Sequence, residues 1–160
     1  MPRGKRIILN NAYYHLINRG NQKQNTFLEN SDFEKYLELL THYKRKYKIK
    51  LFGYCLMPNH MHLVVVPKKA AELAKFMQGL TQTYTFWFNQ KYDKNGRLWQ
   101  GRFKSMVIQD TAYFLECVSY IEANPVRAGL TSSPADYLWS SYRDRVFGNK
   151  NEILDLPDST

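Results

Sequence analysis

The chain predicts an α+β fold: an antiparallel sheet in split βαβ, ferredoxin-like order, with helices on one face and further helices at the C-terminus. Three observations lead there. Segments of strand and helix periodicity follow one another as β-α-β-β-α-β and then α-α. Turn-forming residues separate them at Gly20–Asn25, Pro58-Asn59 and Asp93–Gly96. The 160 residues, 44% of them hydrophobic, suit one domain with a real core. Within that single domain, residues 1–10 read as a basic arm and 148–160 as a polar, flexible tail.

Each element has its own reason. Residues 12–19 are aromatic and β-branched and predict a strand. Ser31-Asp-Phe-Glu34 reads as a capping box that opens a helix. Phe33, Tyr36, Leu37, Leu40, Tyr43 and Tyr47 then recur at helical spacing, and a basic cluster from Lys44 to Lys48 suits the negative end of the helix dipole. Residues 49–56 and 60–66 predict two strands of a hairpin, which Pro67 terminates. The longest helix covers 70–91, its buried face marked by Leu73, Phe76, Met77, Leu80, Tyr84 and Phe88. Residues 102–109 predict a fourth strand. Asp110 caps a helix over about 111–123, and Pro125 disfavours helix at Asn124. Residues 134–147 predict a last helix.

Charge narrows the function. Lys and Arg number 23 against 14 Asp and Glu, a net +9, and aromatics make up 15% of the chain. That balance favours a polyanionic partner, and basic grooves with stacking aromatics suit single-stranded nucleic acid. No run reaches the roughly 18 apolar residues that span a bilayer. No apolar signal core follows the basic start, so a soluble, cytoplasmic protein with no membrane partner is expected. Cys55 and Cys117 form no Cys-x-x-Cys pair and read as small buried residues.

The sharpest local signal is His60-Met61-His62. Alternate residues of a strand share a face, so the two imidazoles can converge on one cation. Two half-exposed surface histidines fit the tripeptide as well. Tyr113, Cys117, Tyr120 and Asn124 form a stripe along one helix, beside the apolar stripe of Phe114, Val118 and Ile121. Tyr120 therefore stands at the edge of the buried face, either as a packing residue or with its hydroxyl in a site. Asn124, one turn later, is a candidate third metal ligand or a helix C-cap.

Together these features resemble the single-tyrosine HUH transposases, and among them the REP-associated tyrosine transposases. The matching segments are Tyr14-His-Leu-Ile-Asn-Arg-Gly-Asn21, Met57-Pro-Asn-His-Met-His62, Leu98-Trp-Gln-Gly-Arg-Phe-Lys104, Tyr120-Ile-Glu-Ala-Asn-Pro-Val-Arg-Ala-Gly-Leu130 and Trp139-Ser-Ser-Tyr142. They span most of the chain in family order. The resemblance implies that His60 and His62 bind Mg²⁺ or Mn²⁺, that Asn124 stands at a third ligand position, and that Tyr120 is the nucleophile. It further implies that the tyrosine helix lies over the histidine face. The implied substrate is single-stranded DNA bearing hairpins, cut and rejoined through a 5′-phosphotyrosine by a monomer or homodimer associated with the nucleoid.

Further contacts to DNA are expected from Arg97, Trp99, Arg102 and Lys104, where basic and aromatic groups mix. Trp99 and Phe103 fit a core role equally. Arg3, Lys5 and Arg6 are expected along a duplex stem, or disordered, and Arg127 at a phosphate or simply exposed. His15 reads as structural or as a support behind the metal ligands. Two other functions fit parts of the pattern. A non-catalytic ferredoxin-like binding protein would not need His60, His62 and Tyr120 together. A phosphodiesterase that uses water would leave no protein–DNA adduct.

Overall fold

The computed structural model describes residues 9–148 and 153–155. The basic arm residues Arg3, Lys5 and Arg6, and most of the expected tail, lie outside the described residues. Four strands form one antiparallel sheet: β1 (Tyr13–Arg19), β2 (Ile49–Met57), β3 (His60–Pro67) and β4 (Lys104–Ile108), in the spatial order β2-β3-β1-β4. This is the split βαβ arrangement the periodicities predict. Helices α1 (Asn30–Lys46) and α2 (Ala70–Lys91) connect the two halves.

The sheet has two covered faces. Leu16 of β1, Leu56 of β2, and Met61, Leu63 and Val65 of β3 face α1 and α2, where Tyr36, Leu40, Phe76, Leu80 and Tyr84 complete the main core. The expected helices on one face are thus α1 and α2. A third helix, α3 (Phe114–Glu122), covers the opposite face, where Phe114, Val118 and Ile121 pack on Phe52, Cys55, Met57 and Val64. A β-bulge makes this second core possible. Leu51 pairs with Val65 while Gly53 pairs with Val64, so Phe52 and Gly53 both turn toward α3. A Cβ on Gly53 would lie 2.8 Å from one methyl of Val118 and 3.0 Å from the other.

Several boundaries differ from expectation for physical reasons. Helix α1 begins at Asn30, and the carboxylate that reaches back belongs to Asp32, which accepts from the backbone N–H groups of Leu28 and Glu29. The Ser31–Glu34 pattern is overridden because Asp32 is buried and tied to Lys91 and Tyr92 at the end of α2. Asp110 does cap, accepting from Ala112 N–H, but over a 3-10 turn (Thr111–Tyr113) before α3. Asn124 is helical rather than extended: the chain continues into a short α4 (Asn124–Arg127), with Pro125 in its first turn where no N–H is needed.

The expected helix over 134–147 is interrupted. A 3-10 turn (Pro134–Asp136) and α5 (Tyr142–Phe147) flank a non-helical stretch. There Leu56 N–H donates to Trp139 O at 2.8 Å and Ser141 N–H to Tyr54 O at 2.9 Å. The free backbone groups of edge strand β2 compete with the helix and win. The tail is also less independent than its polarity suggests. Ile153 and Leu154 are buried in the main core, and Asp155 N–H donates to Leu51 O while its carboxylate accepts from Leu51 N–H. Glu122, 1% exposed, ties α3 to α5 through Arg145 and accepts from the Ser141 hydroxyl. Among the described residues no helix is long and apolar enough to cross a membrane.

Candidate active site

The β2–β3 hairpin delivers both histidines. Its tip is pinned from outside: Gly20 N–H donates to Asn59 O at 2.8 Å, and Thr26 and Phe27 N–H donate to Pro58 O at 2.8 and 3.1 Å. His60 therefore starts β3 from a fixed turn. Met61 and Leu63 fill the main core, which sends His60 and His62 to the α3 face. Their ring centroids are 5.0 Å apart. His60 Nδ1 lies 2.7 Å from Asn59 Oδ1, and His62 Nδ1 lies 2.8 Å from Nε2 of His15 on β1.

Burial keeps these imidazoles neutral. Desolvation, followed by the charge of Arg19, pushes His60 down to about 4. Desolvation, with His15, His60, Arg19 and Arg127 adding to it, pushes His62 down to about 3. Burial lowers His15 as well. A neutral imidazole keeps the lone pair that a cation needs. The pair fits a divalent ion in that respect. Among the described residues no group of three or more His, Cys, Asp or Glu is arranged to hold one. The remaining ligands would have to be oxygens from an amide, water or a phosphate.

Helix α3 crosses the same face, contacting β2 and β3. Its apolar stripe faces down, so Tyr120 stands outward with 61% of its surface exposed. Arg127 packs against Tyr120. Its guanidinium carbon sits 3.9 Å from the Tyr120 ring centroid, Nη2 donates to Tyr120 O at 2.7 Å, and its charge reaches His62. The same Nη2 donates to Asn124 Oδ1, while Asn124 Nδ2 is buried without a partner. Asn124 as placed thus gives its oxygen to Arg127. Arg127 therefore competes with a cation for that oxygen.

The expected DNA contacts divide. Arg97, Arg102 and Lys104 are exposed. Ile17 pairs with Lys104 on one side and His62 on the other, which places Lys104 on the histidine face. Arg102 and Lys104 join Arg19 and Gln100 around a pocket of about 200 Å³ at that end of β1. Trp99 departs from expectation. It is 5% exposed in the main core, with its ring near Phe27, Tyr36 and Tyr84, so it packs the fold and offers no face to a base. Phe103 is buried too. The sequence motifs do not single out Arg19. Strand alternation counted from His15 puts Arg19 on the same face, and it pairs directly with His60.

Comparison with known proteins gives a consistent set of likenesses. The family described as IS200-like transposase matches residues 8–124. Over 111 residues the chain is 29% identical to a proposed REP-associated tyrosine transposase of Haemophilus influenzae, and the match spans 62% of each chain. It therefore covers less than two thirds of that relative's length. A solved structure described as a REP-associated tyrosine transposase bound to a REP hairpin superposes with a TM-score of 0.77 at 18% identity, covering 100% of this chain and 94% of the other. A crystal structure of a proposed transposase from Deinococcus radiodurans gives 0.50 at 16% identity, covering 76% and 96%. At these identities the two structures speak for the fold.

Proposed function

The chain belongs to the IS200-like transposases, and from that premise we propose that it is a metal-dependent transposase that cuts and rejoins hairpin-bearing single-stranded DNA through Tyr120. One observation carries the reading. Two neutral histidines share the sheet face that α3 packs on, and Arg127, which stacks on the Tyr120 ring just beyond that helix, carries a charge that helps to keep His62 neutral. The hairpin substrate is inferred from the related structure described with a REP hairpin bound.

In this mechanism His60 and His62 would hold Mg²⁺ or Mn²⁺, with Asn124 as a further ligand. The bound ion would polarise the scissile phosphate, which matters because a tyrosine hydroxyl is a weak nucleophile at neutral pH. Tyr120 loses its proton and attacks phosphorus. A Tyr–O–P bond forms to the 5′ side, the P–O3′ bond breaks, and the departing 3′ oxygen takes up a proton. Reversal by an incoming 3′-hydroxyl joins strands and restores Tyr120, with no other energy source. Arg127, freed from the ring, neutralises a phosphate, and Arg97, Arg102 and Lys104 receive the flanking strand.

The test mixes the protein, Mn²⁺ and labelled single-stranded hairpins taken from DNA flanking the gene, and resolves the products on a denaturing gel. The expected result is a covalent protein–DNA adduct that vanishes in Tyr120→Phe and without metal. Cleavage by Tyr120→Phe at the wild-type rate would sink the tyrosine assignment and favour hydrolysis by water. Binding without cutting across several flanking hairpins would favour a non-catalytic binding protein.

A further inference from the structure

We infer that His15 is a positioning residue for the metal pair: it fixes His62 with its proton on Nδ1, as Asn59 fixes His60, so that both imidazoles present a bare Nε2 to one cation. The inference rests on the metal-site reading of His60 and His62 given above. An amide oxygen only accepts hydrogen bonds. The 2.7 Å contact from His60 Nδ1 to Asn59 Oδ1 therefore places the proton on His60 Nδ1 and leaves a lone pair on Nε2.

His62 meets a different partner to the same end. Its Nδ1 is 2.8 Å from His15 Nε2, and a neutral imidazole can either donate or accept there. With Nδ1 engaged, Nε2 is the nitrogen left for a cation. A ligating nitrogen carries no proton, so His62 Nδ1–H donates and His15 Nε2 accepts. His15 then carries its own proton on Nδ1.

The fold makes His15 a rigid acceptor. It lies on β1, paired on both sides, with Val64 and Met106 as its cross-strand partners. Its ring lies edge to edge with that of His62 and close to its plane, at a centroid distance of 5.1 Å and an interplanar angle of 27°. Metal-binding histidines commonly donate their second N–H to such a fixed group, which sets both tautomer and ring orientation.

Long-range ¹H–¹⁵N correlation spectra of the metal-free protein read the tautomers directly. Both His60 and His62 are expected as Nδ1–H forms. His15→Phe keeps a flat ring but removes the acceptor. In that variant His62 should shift toward the Nε2–H form, and Mn²⁺ affinity, measured by electron paramagnetic resonance, should fall roughly 10–100-fold. His15→Gln, whose oxygen can accept from His62 Nδ1–H, should recover most of the loss. An Nε2–H His62 in the wild type, or equal Mn²⁺ affinity in wild type and His15→Phe, overturns the inference and leaves the metal site standing. Wild-type spectra in which Mn²⁺ fails to broaden the His60 and His62 ring signals overturn the metal reading and the inference together.

Discussion

Because burial holds His60 near 4 and His62 near 3, the folded chain refuses protons that the unfolded chain accepts below about pH 6.5. The linked stability is fully present above pH 6.5 and is lost as pH falls through the folded values. Thermal unfolding should therefore show a midpoint that drops between pH 6.5 and 4. In a His60→Gln/His62→Gln variant the drop should be smaller by several degrees, at about 2–4 °C per kcal/mol for a chain of this size. Identical pH dependence in the two proteins would count against buried neutral imidazoles. The pair was legible because a period of two is a local property of a strand. The contacts around it were less so. Arg127 meets Tyr120 across the junction of two helices, and the sequence pointed to an extended Asn124 where that junction is helical. Trp99 misled because a basic and aromatic run does not say which of its rings turns inward.

At the scale of elements, the height of α3 above the sheet is set by a missing side chain. Gly53 lets Val118 approach to a distance at which no Cβ fits. Gly53→Ala should lift or tilt α3, cost about 1–3 kcal/mol of stability, and reduce adduct formation with flanking hairpin DNA. Trimming the opposing side chain, as Gly53→Ala/Val118→Ala, should restore part of both. Calorimetry and the gel assay check the pair, and a double variant no better than the singles would place the defect elsewhere. Periodicity located α2 to the residue, because its 22 residues keep one apolar face throughout. It extended the 134–147 helix too far, because a stretch that bonds to another strand leaves no local mark. The α3 half of the second core was legible in the stripe of Phe114, Val118 and Ile121, whereas the β2 half was hidden because a bulge at Phe52-Gly53 has no periodic signature.

At the scale of the whole molecule, the net charge of +9 makes binding a matter of counterion release. Anisotropy titrations of Tyr120→Phe with a labelled single-stranded hairpin, over roughly 50–200 mM salt, should give a linear log–log fall in affinity. Arg102→Ala/Lys104→Ala should shallow that slope by about 0.7 for each phosphate that is no longer neutralised. An unchanged slope would remove the pocket beside β1 from the binding surface. Element order was enough to predict the sheet topology, since short connections and a right-handed twist leave few ways to arrange four such strands. The two ends of that sheet meet solvent differently. Along β2, backbone groups of Leu51, Tyr54 and Leu56 are already bonded to residues 139–141 and 155. At the other edge β4 is five residues long and begins with an exposed lysine. Misassembly by edge-to-edge stacking is opposed on one side by occupancy and on the other by brevity and charge. A concentrated solution of this chain should accordingly resist fibril growth until the segment covering β2 is peeled away.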